Sequence, residues 1–294
     1  MSVNSNVIKE GRRNPLYKGR SNGSRIGRYV KNVFLFLFAL VSLYPFIWMI
    51  ASSFKTDGQI LANPTALFVA DLTLDSYKTI WSRIPFFLFY RNSIIFAGTV
   101  TVSCLFFDTL AGYAFARMRF KGRNILFILV LSTMMIPFQA IMIPLFVELH
   151  KFGILDTFTG LILPRASGPF GVFMMRSFFI TLPKDLEEAA RIDGCNEFRI
   201  FRSIMLPLCK PAFASLGLFV FNGNWNDLLY PMLMTSKDSM RTLQAGIALL
   251  MGRNVVEYSL TMAGAFLSVL PIIIAYIFLQ KYFIKGIAMS GMKA

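Results

Sequence analysis

The chain offers little to nucleophilic or metal chemistry: one histidine, His150, and three cysteines, Cys104, Cys195 and Cys209. The cysteines show no paired or metal-ligand spacing and read as isolated reduced thiols. A single histidine leaves histidine-based catalysis or a zinc site without partners. No G-x-x-x-x-G-K-[ST] phosphate loop is present, and no Gly-Lys dipeptide occurs at all. ATP hydrolysis by that chemistry is therefore excluded. Two polar clusters remain. One is "LPKDLEEAARIDGCNEFRIFRSIMLP", Leu182 to Pro207, with nine charged residues; the other is "FNGNWNDLLYP", Phe221 to Pro231. The first reads either as a surface loop that packs under its own helices or as a bracket that another surface approaches. The second has amides, a carboxylate and aromatic rings that suit hydroxyl-rich ligands.

The first cluster reads as two short helices. Pro183 suits a first helical turn, and Asp185, Glu187 and Glu188 sit where the helix dipole favours carboxylates. Leu182, Leu186, Ala189 and Ala190 are expected on one side. Gly194 is placed to end the helix with a left-handed residue. A second helix is expected from about residue 196, with Phe198, Phe201, Ile204 and Met205 apolar. Pro207 stops it, and Pro211 opens the next segment.

These clusters are carried by a chain of 294 residues, 55% apolar and only 15% charged, with 31 Phe. A soluble domain carries about 25% charge, so the deficit marks a membrane protein. The apolar runs also argue against nucleic acid as the reason for the net charge of +15. Six segments approach the roughly 20 apolar residues that a spanning helix needs. They lie at about 30–52, 92–116, 124–147, 158–180, 212–235 and 259–284. Continuous apolar runs indicate helices rather than alternating barrel strands. With the N-terminus inside, the cytoplasmic segments hold 21 of the 30 Lys and Arg residues. Both ends are therefore expected in the cytoplasm. The expected division is a basic tail at 1–29, a membrane domain at 30–284 with the polar bracket at 181–211, and a C-terminal tail at 285–294. The N-terminal tail is expected to be disordered or to rest on anionic headgroups, and no cleavable signal peptide is apparent.

Glu188-Ala189-Ala190, then Gly194, then Ile204-x-Leu206-Pro207 resembles the EAA motif of ABC importer membrane subunits. Asp193, Phe201 and Pro211 fit the version found in carbohydrate permeases. "AGYAFARMRFKGR" at 111–123, "MIPFQAIMIPLF" at 135–146, "GLILP" at 160–164 and "WNDLLYP" at 225–231 extend the likeness over most of residues 30–290. The chain thus resembles the MalG-like inner-membrane subunits of binding-protein-dependent sugar importers. The resemblance implies a six-helix, all-α type I (MetI/MalG-like) permease in the bacterial inner membrane. It also implies that Glu188, Ala189, Ala190, Asp193, Gly194, Phe201, Ile204, Leu206 and Pro207 form the coupling surface for a cytoplasmic ABC ATPase dimer. ATP and Mg would then be bound by that partner and no cofactor by this chain. The further implied partners are a second, MalF-like permease, an extracytoplasmic sugar-binding protein and the bilayer.

Polar groups within a bilayer must face protein or water. Asn222, Asn224, Trp225, Asn226, Asp227 and Tyr230 are candidates for the cargo path, with the two rings able to stack on sugar faces. Packing of these side chains against neighbouring helices is the competing reading. Asp108 is expected to cap a helix, or to pair with Arg117 or a polar group on a neighbouring span. Arg165, roughly 10 Å into the fourth span, is expected to snorkel. A sharper expectation is that Arg165 attracts an anionic sugar or a phosphorylated polyol. Pro137, Pro144, Pro164 and Pro169 are expected to kink spans three and four. An ion-coupled secondary transporter is the alternative function, although no clear internal repeat supports it. A membrane-embedded transferase finds few clustered acids and a single histidine to work with.

Overall fold

The computed structural model describes residues 23–69, 71–251 and 257–291. Residues 1–22 of the basic tail and 292–294 of the C-terminal tail lie outside the described residues. The chain divides into two compact units, residues 1–48 and 49–294. Among the described residues there is no strand.

Helix α1 covers Gly23–Ser53. After it come the short helices Asp57–Ala62 and Asp75–Arg83, then α2, Phe86–Arg117. Helices α3, Arg123–Ser132, and α4, Phe138–Lys151, follow. Next are a short helix at Phe158–Ile162 and α5, Pro169–Thr181. The polar bracket opens with α6, Asp185–Ile192, and continues into α7, Lys210–Trp225. A short helix at Leu229–Met234, then α8, Leu243–Met251, and α9, Tyr258–Gly291, complete the chain.

Among the described residues, three helices are long and apolar enough to cross a membrane: residues 27–53 of α1, α2, and residues 258–278 of α9. The expected continuous helices at 124–147, 158–180 and 212–235 are each interrupted instead. Residues 123–135 and 138–151 meet at 98°, with Pro137 in extended conformation at the break. The fourth segment is a short helix, a tight turn at Leu163–Arg165, and then α5 starting at Pro169. The fifth stops at Trp225 and restarts at Leu229. Proline supplies no N–H and clashes with the preceding turn, which accounts for the breaks at Pro137, Pro164 and Pro169. Pro144 departs from this pattern, since it remains inside α4.

A broken helix exposes backbone donors that lipid cannot satisfy. Here carboxylates meet them, two from distant parts of the chain and one from the break itself. Asp108 Oδ1, on α2, accepts from the Gly168 amide at 3.0 Å and from Ser167 Oγ at 2.6 Å, just before α5. Asp227 Oδ1 accepts from the Tyr230 amide at 3.2 Å at the restart of the fifth segment. Asp156 Oδ1 accepts from the Ser236 and Lys237 amides. The expectation that Asp108 meets a neighbouring segment thus holds, whereas Arg117 is engaged elsewhere.

Helices α2 and α5 approach closely because small residues line their contact. A Cβ on Gly112 would stand 2.7 Å from Met175 Cβ, and one on Gly171 would stand 1.9 Å from Asp108 Oδ2. Helix α9 is tied to α7 by Trp225 Nε1, which donates to the Ser268 carbonyl at 2.8 Å.

Candidate coupling bracket and membrane-interior polar site

In the bracket, α6 ends as its sequence dictates. Gly194 has φ +79°, its amide bonds the Arg191 carbonyl, and the Cys195 amide reaches back to the Ala190 carbonyl at 2.9 Å. That last bond closes the helix end and needs the left-handed residue. The second helix is capped by Asn196, whose side chain accepts from the Arg199 amide. It then widens into a π-helical turn at Phe201–Met205 before Pro207. Such turns recur at functional sites. The helix meets α7 at 76°, so the bracket runs across the end of the bundle.

The apolar side expected of α6 is not buried as a unit. Glu187 and Ala190 point inward, while Leu186 and Ala189 are exposed. The cause is Arg117, at the end of α2. Its Nη2 donates to the Phe179 and Leu182 carbonyls, each at 2.6 Å. These carbonyls lie at the C-terminal end of α5, where the helix dipole favours a cation. Its Nε stands 3.2 Å from Glu187 Oε1, and both side chains are 5% exposed. The contact is a charge contact bent away from hydrogen-bond alignment. A buried arginine needs a compensating carboxylate, and Glu187 satisfies it by turning inward. Arg191 then bridges Glu187, at 3.4 Å, and Glu197, at 2.7 Å. The guanidinium of Arg191 holds the Glu197 carboxyl below its ordinary value of 4.5. Tyr113, one turn before Arg117 on α2, donates to Glu197 Oε2 at 3.4 Å. A cavity of about 1120 Å³ opens beside this ring, lined by Arg119, Arg123, Lys184 and Glu188 among others.

The tip of the bracket stays open. Glu188, Ala189, Ile192, Asp193, Gly194 and Phe198 are exposed, Ile192 to 86% and Phe198 to 65%. Ala190, Phe201 and Met205 pack inward with Met175 and Phe179. Ala190 is small for inward packing rather than to let a second surface approach. Ile204 and Leu206 are half-buried and Pro207 is exposed.

The second site lies at the breaks in the fourth and fifth segments. Arg165 does not snorkel. Its Nη2 is 2.5 Å from Asp227 Oδ2, its Nη1 donates to Asn224 Oδ1 at 3.2 Å, and its guanidinium lies 4.2 Å from the Tyr230 ring centre. These contacts, with the Phe138 ring centre at 4.8 Å as a fourth, outweigh a reach for water in a weakly screened setting. Trp225 and Tyr230 are buried within the chain, the latter donating to the Gly160 carbonyl at 2.6 Å. They present no face to a ligand, which corrects the expectation that they stack on sugars. Asn222 and Asn226 are exposed. Asn226 Nδ2 donates to Asn222 Oδ1 at 2.9 Å, and Gln244 Nε2 reaches Asn226 Oδ1 at 3.4 Å.

Residues 108–289 match the family of binding-protein-dependent transport system inner membrane components. The chain belongs to this family. It is 36% identical to the arabinooligosaccharides transport system permease protein AraQ of Halalkalibacterium halodurans, over 87% of this chain and 92% of that one. It is 35% identical to the trehalose/maltose transport system permease protein MalG of Thermococcus litoralis, over 87% and 94%. Among solved structures it resembles a chain of a bacterial ABC transporter involved in import of the acidic polysaccharide alginate. The TM-score is 0.77 at 27% identity, covering 90% of this chain and 99% of the other.

Within this family member, sequence reasoning overlooked Arg117, Glu187 and Glu197 as partners, and Ile192 and Phe198 as exposed tip residues. A clue existed for Arg117, since an arginine closing an apolar helix needs an anion. Nothing local indicated that Glu187 rather than Glu188 would supply it.

Proposed function

We propose that this chain is one membrane-spanning half of an ATP-driven, binding-protein-dependent sugar importer of the bacterial inner membrane. Bracket 181–211 docks on a cytoplasmic ABC ATPase dimer that binds ATP and Mg. A second, MalF-like permease completes the path, and an extracytoplasmic binding protein delivers the cargo. The chain crosses the bilayer six times with both ends in the cytoplasm, the third to fifth crossings being the interrupted segments. The observation that carries this reading is the bracket itself. Its apolar and small tip residues, Ala189, Ile192, Gly194 and Phe198, are exposed, while its other face is fixed to α2 and α5. An exposed apolar patch on a rigid base is the form of a protein interface.

The cargo is an oligosaccharide, in keeping with the arabinooligosaccharide and trehalose/maltose relatives. The alginate neighbour raises an anionic cargo. Against it, Arg165 is already paired with Asp227, and the exposed polar groups at that level, Asn222 and Asn226, are uncharged. An ion-coupled carrier would need free carboxylates along the spans. Asp108 and Asp227 instead satisfy broken helix ends.

Pull-down from native membranes tests the reading. The ATPase, a second permease and a binding protein are expected to accompany the chain, and the binding protein's ligand identifies the cargo. Gly194→Trp, at the exposed tip, is expected to lose the ATPase while still inserting. Wild-type-like assembly of that variant overturns the docking role.

A further inference from the structure

The bracket is covalently continuous with α5 and α7 only, yet its charged face closes on α2. Arg117 and Tyr113 are four residues apart on α2 and share one face. From Arg117 the contacts run to Glu187, then Arg191, then Glu197, and return to α2 at Tyr113. Both bracket helices are thereby joined to one face of one spanning helix. Arg117 also binds the Phe179 and Leu182 carbonyls, so a single guanidinium meets α2, the end of α5 and the start of the bracket. Aromatic packing backs the ring, with Tyr113 5.3 Å from Phe179 and 5.0 Å from Phe201.

A buried ion pair is a poor choice for stability alone, because apolar residues of similar volume often do as well. What it adds is fixed geometry, since the Arg117 Nη2 bonds to two α5 carbonyls aim the guanidinium and hold its charge against Glu187. Nine residues from Arg117 along the same helix, Asp108 holds the break at Ser167–Gly168. That break adjoins Arg165 of the interior site. Helix α2 therefore has a fixed joint to the bracket at one end and a fixed joint beside the interior site further along.

We propose that Arg117 and Glu187 act as positioning residues that make α2 move as one body with the bracket, so that displacement of the bracket reaches the Ser167–Gly168 break through α2 as well as through α5 and α7. This rests on the ATPase-docking reading. The chemistry invoked is the clamp within this chain, whatever cargo is carried.

The test uses the assembled importer, with Cys104, Cys195 and Cys209 changed to alanine. Nitroxide pairs are placed at Phe107→Cys with Asp185→Cys, for α2 to bracket, and at Phe107→Cys with Phe173→Cys, for α2 to α5. All three sites are exposed, and none belongs to the docking tip. Distances are read by pulsed electron resonance without nucleotide and after trapping with ATP and vanadate. In the otherwise unsubstituted chain the α2–bracket distance is expected to be narrow and the same in both states. Glu187→Gln keeps the Arg117 bonds to the α5 carbonyls. It is expected to broaden the α2–bracket distance and make it nucleotide-dependent, leaving α2–α5 unchanged and the ATPase bound. A merely structural role would loosen both pairs together and overturns the proposal. So does an α2–bracket distance that changes with nucleotide in the unsubstituted chain, which needs no variant to fold. Should Glu187→Gln fail to assemble, Arg117→Lys replaces it. Lysine cannot reach the two carbonyls and the carboxylate at once, so a narrow, unchanged α2–bracket distance in that variant also overturns the proposal. If no ATPase accompanies even the unsubstituted chain, the docking reading falls and this one with it.

Discussion

Arg117 and Arg165 are each held by a carboxylate, yet their surroundings differ. Arg117 and Glu187 are both 5% exposed, and the guanidinium spends its other donors on backbone carbonyls of α5. Arg165 and Asp227 retain 22% and 17% exposure, and the remaining contacts of the guanidinium are an amide side chain and two rings. Backbone carbonyls at a helix end cannot rotate away, so Arg117 is a joint between elements. Side chains can exchange partners, so Arg165 sits in a site that can adapt. The comparison teaches that an arginine's role is set by what fills its remaining donors. A sealed set fixes geometry, and a partly open one keeps polar groups available.

The comparison breaks most visibly at Arg117. Arg117→Ala leaves Glu187 buried without its arginine and is expected to cost about 3–5 kcal/mol. Thermal unfolding of the solubilised complex measures it. Asp227→Asn keeps an oxygen for the Tyr230 amide but removes the charge opposite Arg165. In the same assay it is expected to cost about 1–3 kcal/mol, less than Arg117→Ala because water reaches the site. A loss as large as that of Arg117→Ala would erase the distinction between the two sites. Gly171→Ala sharpens it at the third polar point. The new Cβ would fall 1.9 Å from Asp108 Oδ2, and the overpacking is expected to cost about 1–3 kcal/mol. Asp108→Asn, of similar shape, does not relieve it. The smallest effect concerns pH. The folded value of Glu197 lies below 4.5, chiefly because Arg191 bonds its charged form. Its contribution is therefore fully present above that ordinary value and is lost as pH falls through the lower folded value. Glu197 is half-exposed, so solvent screens the pair and the effect is slight. Glu197→Gln should flatten the stability profile in that acid range and leave neutral pH nearly unchanged.

Much of the bracket was legible because its signals are local. Gly194 ends α6 in the left-handed conformation that the pattern requires, and Asn196 caps the next helix as its side chain allows. Leu186 shows where local reading stops. Apolar spacing puts it on one side with Leu182 and Ala190, which pack inward, and yet it is exposed while Glu187 is buried. Arg117 lies 70 residues away in sequence, and hydrophobic periodicity carries no record of a charge on another helix. Trp225 and Tyr230 illustrate the same limit. Their types fit a sugar-binding surface, but their polar atoms bond the carbonyls of Ser268 and Gly160. The interruptions are intermediate. Prolines mark where a break is possible, but Pro144 sits within α4, so composition did not fix which positions break.

By itself the sequence determined that the chain is a helical membrane protein with a polar bracket among its apolar segments, because apolar length and charge density are sums over neighbouring residues. It also determined where α6 stops, because a left-handed residue is a property of one backbone position. Only the tertiary structure decided which face of α6 turns inward, which carboxylate meets which arginine and which amides stay exposed. Those outcomes depend on the cost of leaving a buried charge or backbone donor unpaired, and their partners come from distant parts of the chain.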